Sequence, residues 1–176
     1  VEGVEIDSDM AAVARQQLPQ LIEGNIEDPA VFKLISSSPF DYILIGDVLE
    51  HLYDPWTVLS KLCHERLAPG GKIIFSVPNI GHIDVFIHLF IKRYWPYNSR
   101  GIFDKTHLRW FTKKNVVELA QQAGLRVDKL DRNFRFRDRI DSRFPPYGFI
   151  LKRLFRDLYT FQYIAVCSKS NGGIQT

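Results

Sequence analysis

The sequence predicts an α/β fold with a mostly parallel sheet and helices on both of its faces. Three observations carry this. Short runs rich in Val, Ile and Phe alternate with stretches that open at Ser-Asp or Asp-Pro and close at glycine, which is the rhythm of βα units. The run at 40–46 (FDYILIG) is apolar with little alternation, as a strand buried on both faces is. Polar residues then gather at Asp47, Glu50 and His51, where open α/β sheets bind ligands just beyond the carboxyl ends of their strands.

The elements follow in order. Residues 1–7 (VEGVEID) read as a strand ending in acids, and Ser8 and Asp9 are suited to cap a helix over 10–18. Residues 21–25 form a second strand. Asp28-Pro29 opens a helix to about Ile35, with proline in the favoured first turn. After the strand at 40–46, Asp54-Pro55 starts a helix to about Leu67, stopped by Pro69-Gly70-Gly71. Residues 72–77 are the fourth strand, and 83–93 a helix. An irregular aromatic segment spans 94–111. Thr112 caps a helix over 113–123 that ends at Gly124, and strands at 125–130 and 160–168 close the chain.

At 176 residues the chain has one domain's length and can bury a proper core. Residues 1–170 are expected to form that domain, with 171–176 a flexible tail. The net charge of +3 does not imply general nucleic-acid binding. Cys63 and Cys167 lie far apart without a CxxC pattern, which favours a reducing, cytoplasmic setting. The most apolar helical stretch, 83–95, holds Asp84, His88, Lys92 and Arg93 and is too short and too polar to span a bilayer.

Several motifs together carry a family resemblance: GVEID (3–7), GNIEDP (24–29), DVLEHL (47–52), LAPGG (67–71), IIFSVPN (73–79) and GIFDKTHLRWFT (101–112). The chain resembles the class I S-adenosylmethionine-dependent methyltransferases, and within them a bacterial subgroup with a THLRFFT-like segment. The match covers nearly all of residues 1–125. It implies a Rossmann-like methyltransferase fold, S-adenosylmethionine as cofactor, and transfer of its methyl group to an oxygen or a nitrogen of a small molecule or a glycan or lipid precursor. A homodimer is left open.

The resemblance also implies roles. Glu5, with Ile6 beside it, stands where an acid holds both ribose hydroxyls, because a carboxylate accepts two hydrogen bonds from a vicinal diol. Asn25 stands where an acid commonly meets the adenine amino group, and Ile26 would pack on the ring. Asn25 also reads as a plain turn former. Asp47 and Val48 would face the methionine end of the cofactor. His51 faces the substrate side as a candidate general base, or else only starts a helix. His107 is a second catalytic candidate near the substrate mouth, and Arg109 can fork onto an anionic acceptor. Both also suit holding the 94–112 segment to the body while Trp110 and Phe111 pack beneath it. That segment is expected to lie over the carboxyl ends of the strands as one wall of the acceptor pocket.

No metal is assigned. Even so, the spacing Asp47-x-x-Glu50-His51 resembles the magnesium-binding E-x-x-E-H arrangement of small-RNA 2′-O-methyltransferases and ubiquinone-pathway O-methyltransferases. Residues 134–143 (FRFRDRIDSR) either cover substrate or touch an acidic surface, or are simply a solvated stretch.

The chain starts at Val1, inside an apparent strand, and departs from the family pattern there. The family's first strand and glycine-rich turn are missing, and that strand belongs between the 1–7 and 40–46 strands. The expectation is a truncated domain with roughly 40 residues upstream, on ordinary βα-unit lengths. Two further readings stay open. One is a non-catalytic methyltransferase-like binding module, inactive for want of the glycine-rich loop. The other is a dinucleotide-dependent oxidoreductase, in which LAPGG, IIFSVPN and THLRWFT have no role.

Overall fold

The computed structural model describes residues 1–138, 142, 144–146 and 148–170. The predicted tail at 171–176 lies outside them, as do 139–141 and 143 of the arginine-rich stretch. Among the described residues, six strands fall into two sheets. β1 (Glu2–Glu5) and β2 (Gln20–Glu23) pair in parallel. β3 (Phe40–Gly46), β4 (Leu67–Pro78), β5 (Leu125–Phe134) and β6 (Thr160–Lys169) form the larger sheet in the order β3-β4-β6-β5. β4 runs parallel to β3, whereas β6 is antiparallel to both β4 and β5. Three strands of this sheet therefore point one way and β6 alone opposes them, so the mostly parallel fold class holds.

Local chemistry places the helices. Asp7, in extended backbone after β1, caps α1 (Ser8–Ala14) by accepting the N–H groups of Asp9 and Met10, each at 2.9 Å. This corrects the expected Ser8 and Asp9 cap, because a cap must precede the first helical residue. Asp28 and Asp54 cap α2 (Pro29–Leu34) and α3 (Pro55–Lys61) in the predicted way, each with proline next. One π-helical turn (Leu62–Arg66) prolongs α3, and another (Ile87–Ile91) prolongs α4 (Ile83–Phe86). In α5 (Lys113–Gln122) the Asn115 side-chain oxygen accepts from both the backbone N–H and the hydroxyl of Thr112.

The LAPGG segment corrects a second expectation. It belongs to β4 rather than to the loop before it. Phe40 already pairs with Leu67, and an irregularity between Phe40 and Tyr42 absorbs the extra residues. Gly70 takes the left-handed conformation at φ 79°, and a Cβ on Gly71 would come within 2.9 Å of the Asp41 carbonyl. The two glycines thus let the strand bulge while staying paired. Between β5 and β6 lie two short helices that the sequence does not signal, α6 (Gly148–Leu154) and α7 (Arg156–Tyr159).

The core lies on one face of the larger sheet. Ile73, Phe75 and Val77 of β4 alternate inward beside Tyr163, Ala165 and Cys167 of β6. Val58 and Leu59 of α3 and Val116, Leu119 and Ala120 of α5 close over them. Burial of this order, at about 25 cal/mol per Å² of apolar surface, is the main favourable term. The opposite face, with Ile74, Ile164 and Val166, is half-buried. Among the described residues, β1 and β3 share no ladder, so each presents an edge where the missing strand was expected. Tyr42 and Leu44 of β3 are accordingly 68% and 74% exposed.

Candidate active site

The space between β1 and β3, where a further strand was expected, is an open cleft along both strands, and Glu5 and Ile6, Asn25 and Ile26, and Asp47, Val48 and His51 line it at their carboxyl ends. These residues leave the carboxyl ends of β1, β2 and β3. Chain direction alone brings together side chains that lie far apart in sequence, at the place where open sheets bind ligands.

Each side chain is held in a definite way. Glu5, a lining residue, accepts the Asp7 N–H through Oε1 at 2.9 Å. The Asn25 Oδ1 accepts from Glu27 N–H at 2.9 Å, an Asx turn that uses part of the oxygen's capacity and leaves the amide NH₂. Ile26 packs against the core edge, whereas Ile6 is exposed. Asp47 sits at φ 52°, in the left-handed region that Asp tolerates better than most residues. Its carboxylate accepts from the Ser76 hydroxyl at 3.0 Å and from Gln162 Nε2 at 2.6 and 2.8 Å.

The loop bearing THLRWFT folds onto the turn after β3. The N–H groups of Leu108 and Arg109 both donate to the Glu50 carbonyl, at 2.8 and 3.0 Å. Phe111 bridges to Asn79 just past β4, so the segment does sit at the carboxyl ends of the strands, and Leu108 lines the cleft. The expectation for Trp110 is corrected. Phe111 is buried, but Trp110 is exposed, because consecutive residues of an extended segment point to opposite sides. Arg109 donates to the carbonyls of Leu108 and Tyr53, so its fork is engaged with backbone and fixes the 52–54 turn. Glu27 secures the same turn by accepting the N–H groups of Tyr53 and Asp54.

His107 does not itself line the cleft; its ring lies beside that of His51, which does. The pair of bonds to the Glu50 carbonyl turns its side chain inward, behind His51, with ring centroids 4.8 Å apart. Its Nε2 is 4.0 Å from Glu50 Oε1, and both side chains are nearly inaccessible. Burial, followed by the nearby His51, lowers the His107 pKa. Burial likewise pushes Glu50 up to about 8, so at neutral pH the carboxyl is protonated and the pair is uncharged. Glu50 Oε2 and His107 Nδ1 are buried without hydrogen-bond partners.

His51 is oriented by a short relay. Thr106 Oγ1 donates to Asp104 at 2.6 Å, so its lone pairs face His51 Nδ1 at 3.1 Å, beside the Thr106 carbonyl at 3.3 Å. Two acceptors at Nδ1 fix the proton there and leave Nε2 as a free base. Glu50, His51 and His107 also offer ligand atoms within 4.8 Å of one another. Asp47, the first residue of the sequence spacing, is instead committed to Ser76 and Gln162. Gln162 has no sequence signal as a site residue. Its partner is 115 positions away.

With this geometry in place, the comparisons with known proteins are decisive about kinship. Residues 1–130 match the model of a family described as a methyltransferase domain. The chain belongs to that family. A protein of Nitrosococcus oceani named ubiquinone biosynthesis O-methyltransferase is 27% identical over 161 residues, spanning 84% of this chain and 66% of that protein. A protein of the same name from Coxiella burnetii is 24% identical over 132 residues, spanning 72% of this chain and 54% of that protein. The chain thus spans between about half and two thirds of these relatives. Among solved structures, a SAM-dependent methyltransferase from Archaeoglobus fulgidus superposes with a TM-score of 0.63 at 20% identity, covering 96% of this chain and 75% of that one. An S-adenosylmethionine-dependent methyltransferase from Mesorhizobium loti gives 0.59 at 13% identity, covering 95% and 79%. The methyltransferase fold is Rossmann-like, as the motifs implied. No helix among the described residues is long and apolar enough to cross a membrane.

Proposed function

We propose that this methyltransferase-family chain serves an enzyme that moves the methyl group of S-adenosylmethionine to an oxygen of a small acceptor. The observation that carries this is the gathering of Glu5, Asn25, Asp47 and His51 at the carboxyl ends of β1, β2 and β3. Glu5 grips the ribose diol through Oε2 and the remaining capacity of Oε1. Ile26 and Asn25 receive the adenine. Asp47, locked by Ser76 and Gln162, and Val48 receive the methionine end. His51 Nε2 takes the proton of the acceptor hydroxyl as its oxygen attacks the sulfonium methyl in line. Positioning supplies most of the acceleration. The names of the curated relatives favour oxygen as the nucleophile and a small molecule as its bearer.

The acceptor reading remains that of the motifs, a small molecule or a glycan or lipid precursor. The test is calorimetric titration of S-adenosylhomocysteine into the natural full-length protein and its Glu5→Ala variant. Binding by the natural protein, weakened in the variant, supports the reading; no binding by either overturns it in favour of a non-catalytic module.

One observation favours a second reading, in which His51 would ligate a cation through Nε2 in place of acting as the base. Glu50, His51 and His107 bring a carboxylate and two imidazoles together, and the unpartnered Glu50 Oε2 and His107 Nδ1 leave that cluster under-satisfied in a way a cation would relieve. These residues fit a divalent cation of the kind that accepts nitrogen and oxygen ligands. When bound, such an ion supplies charge to orient an acceptor oxygen.

A further inference from the structure

We infer that the outer face of the α4 helix and the segment after it dock on an anionic lipid bilayer. The inner face of this helix is already satisfied. Val85 is buried with Ile102, Phe103 and Phe161, and Trp95 meets the Phe103 ring edge-on at 4.9 Å. Asp84, the one acid of the helix, is buried and pairs with Arg137. What remains outside is a surplus of apolar side chains. Phe86 and Phe90 stack on each other with centroids 5.0 Å apart, yet Phe90 is 69% and Ile91 67% exposed, and Leu89 lies open beside them. A helix apolar on both faces has a second environment to meet.

Charge decides which environment. From Val85 to Phe103 the chain has no carboxylate, while Lys92, Arg93 and Arg100 stand in it. Lys92 and Arg93 follow the apolar turn directly, and Tyr94 and Tyr97 flank them, largely exposed. Apolar side chains at one level, with cations and tyrosines at the next, reproduce the layering of a bilayer interface. A protein partner would be expected to contribute acids to specific pairs, whereas lipid headgroups need only a diffuse positive fringe. Arg93, just past the helix, takes the left-handed conformation at φ 52°, which stops the helix there. The proposal rests on this surface and holds for any acceptor.

The experiment is co-sedimentation of the protein with phosphatidylcholine vesicles, with and without phosphatidylglycerol. The protein should pellet with the anionic vesicles and be released by salt. Lys92→Glu with Arg93→Glu should lower the partition by at least about tenfold, as loss and reversal of two cations requires. Phe90→Glu with Ile91→Glu should abolish it. All four side chains are exposed, so melting should not change, and a variant that fails to melt normally is replaced by Phe90→Ser with Ile91→Ser. Failure of the unaltered protein to bind anionic vesicles overturns the proposal, as does unchanged binding by the Phe90 and Ile91 variants. A sedimentation-velocity dimer that those variants dissociate, without vesicle binding, also overturns it and makes a second copy the occupant.

Discussion

Glu50 and His107 face each other across 4.0 Å in a space that water scarcely enters, and neither completes the other's hydrogen bonding. Fifty-seven positions separate them, and what joins them is backbone, the Leu108 and Arg109 N–H groups on the Glu50 carbonyl. An uncharged acid and an uncharged imidazole can share such a space; a bare carboxylate cannot do so cheaply.

The pH dependence of stability follows. Glu50 has its pKa raised from 4.5 to about 8, so between those values the folded chain holds a proton that the unfolded chain has released. Stability therefore falls as pH rises through this window. With a chelator present, Glu50→Gln should flatten that fall and raise the melting temperature at pH 9. Parallel melting curves for the two proteins across the window would refute the assignment.

Glu5 offers a second test. Losing a charged hydrogen bond costs about 1.5–3 kcal/mol, so Glu5→Ala should weaken S-adenosylmethionine binding by at least about tenfold in the natural full-length protein. Glu5 is half-buried at a strand end, and its side chain accepts only the nearby Asp7 N–H, so melting of the unliganded protein should change little. Equal affinities by calorimetry would remove Glu5 from the ribose site.

How much of this was legible in the sequence depends on how local each cause is. β3 was readable to the residue, because an apolar run ending in Gly-Asp needs no distant partner to declare itself. The caps of α2 and α3 were likewise written in Asp-Pro. By contrast, the paired bulge at Gly70 and Gly71 depends on β3 lying alongside, and local pattern alone suggested only a helix stop. The inward turn of His107 is set by the Glu50 carbonyl. The clamp on Asp47 comes from Gln162, on a strand whose placement beside β4 is a matter of topology. Those contacts have no short-range signature.

Catalysis by His51 is testable through its relay. His51→Asn should lower kcat by about 10²–10⁴ with S-adenosylmethionine affinity retained. Thr106 does not line the cleft and would act by positioning His51. Thr106→Val removes the acceptor at 3.1 Å and should lower kcat while leaving acceptor KM in place, with Thr106→Ser restoring most of the loss. A uniform rise in KM for both variants would mean that the loop shapes the pocket and nothing more.

The last prediction concerns the cation. A ligand that binds only the folded state raises its melting temperature, so Mn²⁺ or Zn²⁺ should stabilise the unaltered protein if Glu50, His51 and His107 form the site. The protonated state of Glu50 adds a sharper signature. Binding must expel that proton, so calorimetry in two buffers of different ionisation enthalpy should report proton release at pH 7, absent in Glu50→Gln. His107→Ala should abolish the thermal response without touching Glu5 or Asn25, and S-adenosylhomocysteine binding should survive it. A metal response that persists in both variants would place the ion elsewhere. No response in the unaltered protein would leave His51 as a base acting alone, with Glu50 and His107 as the neutral pair that supports the turn beneath it.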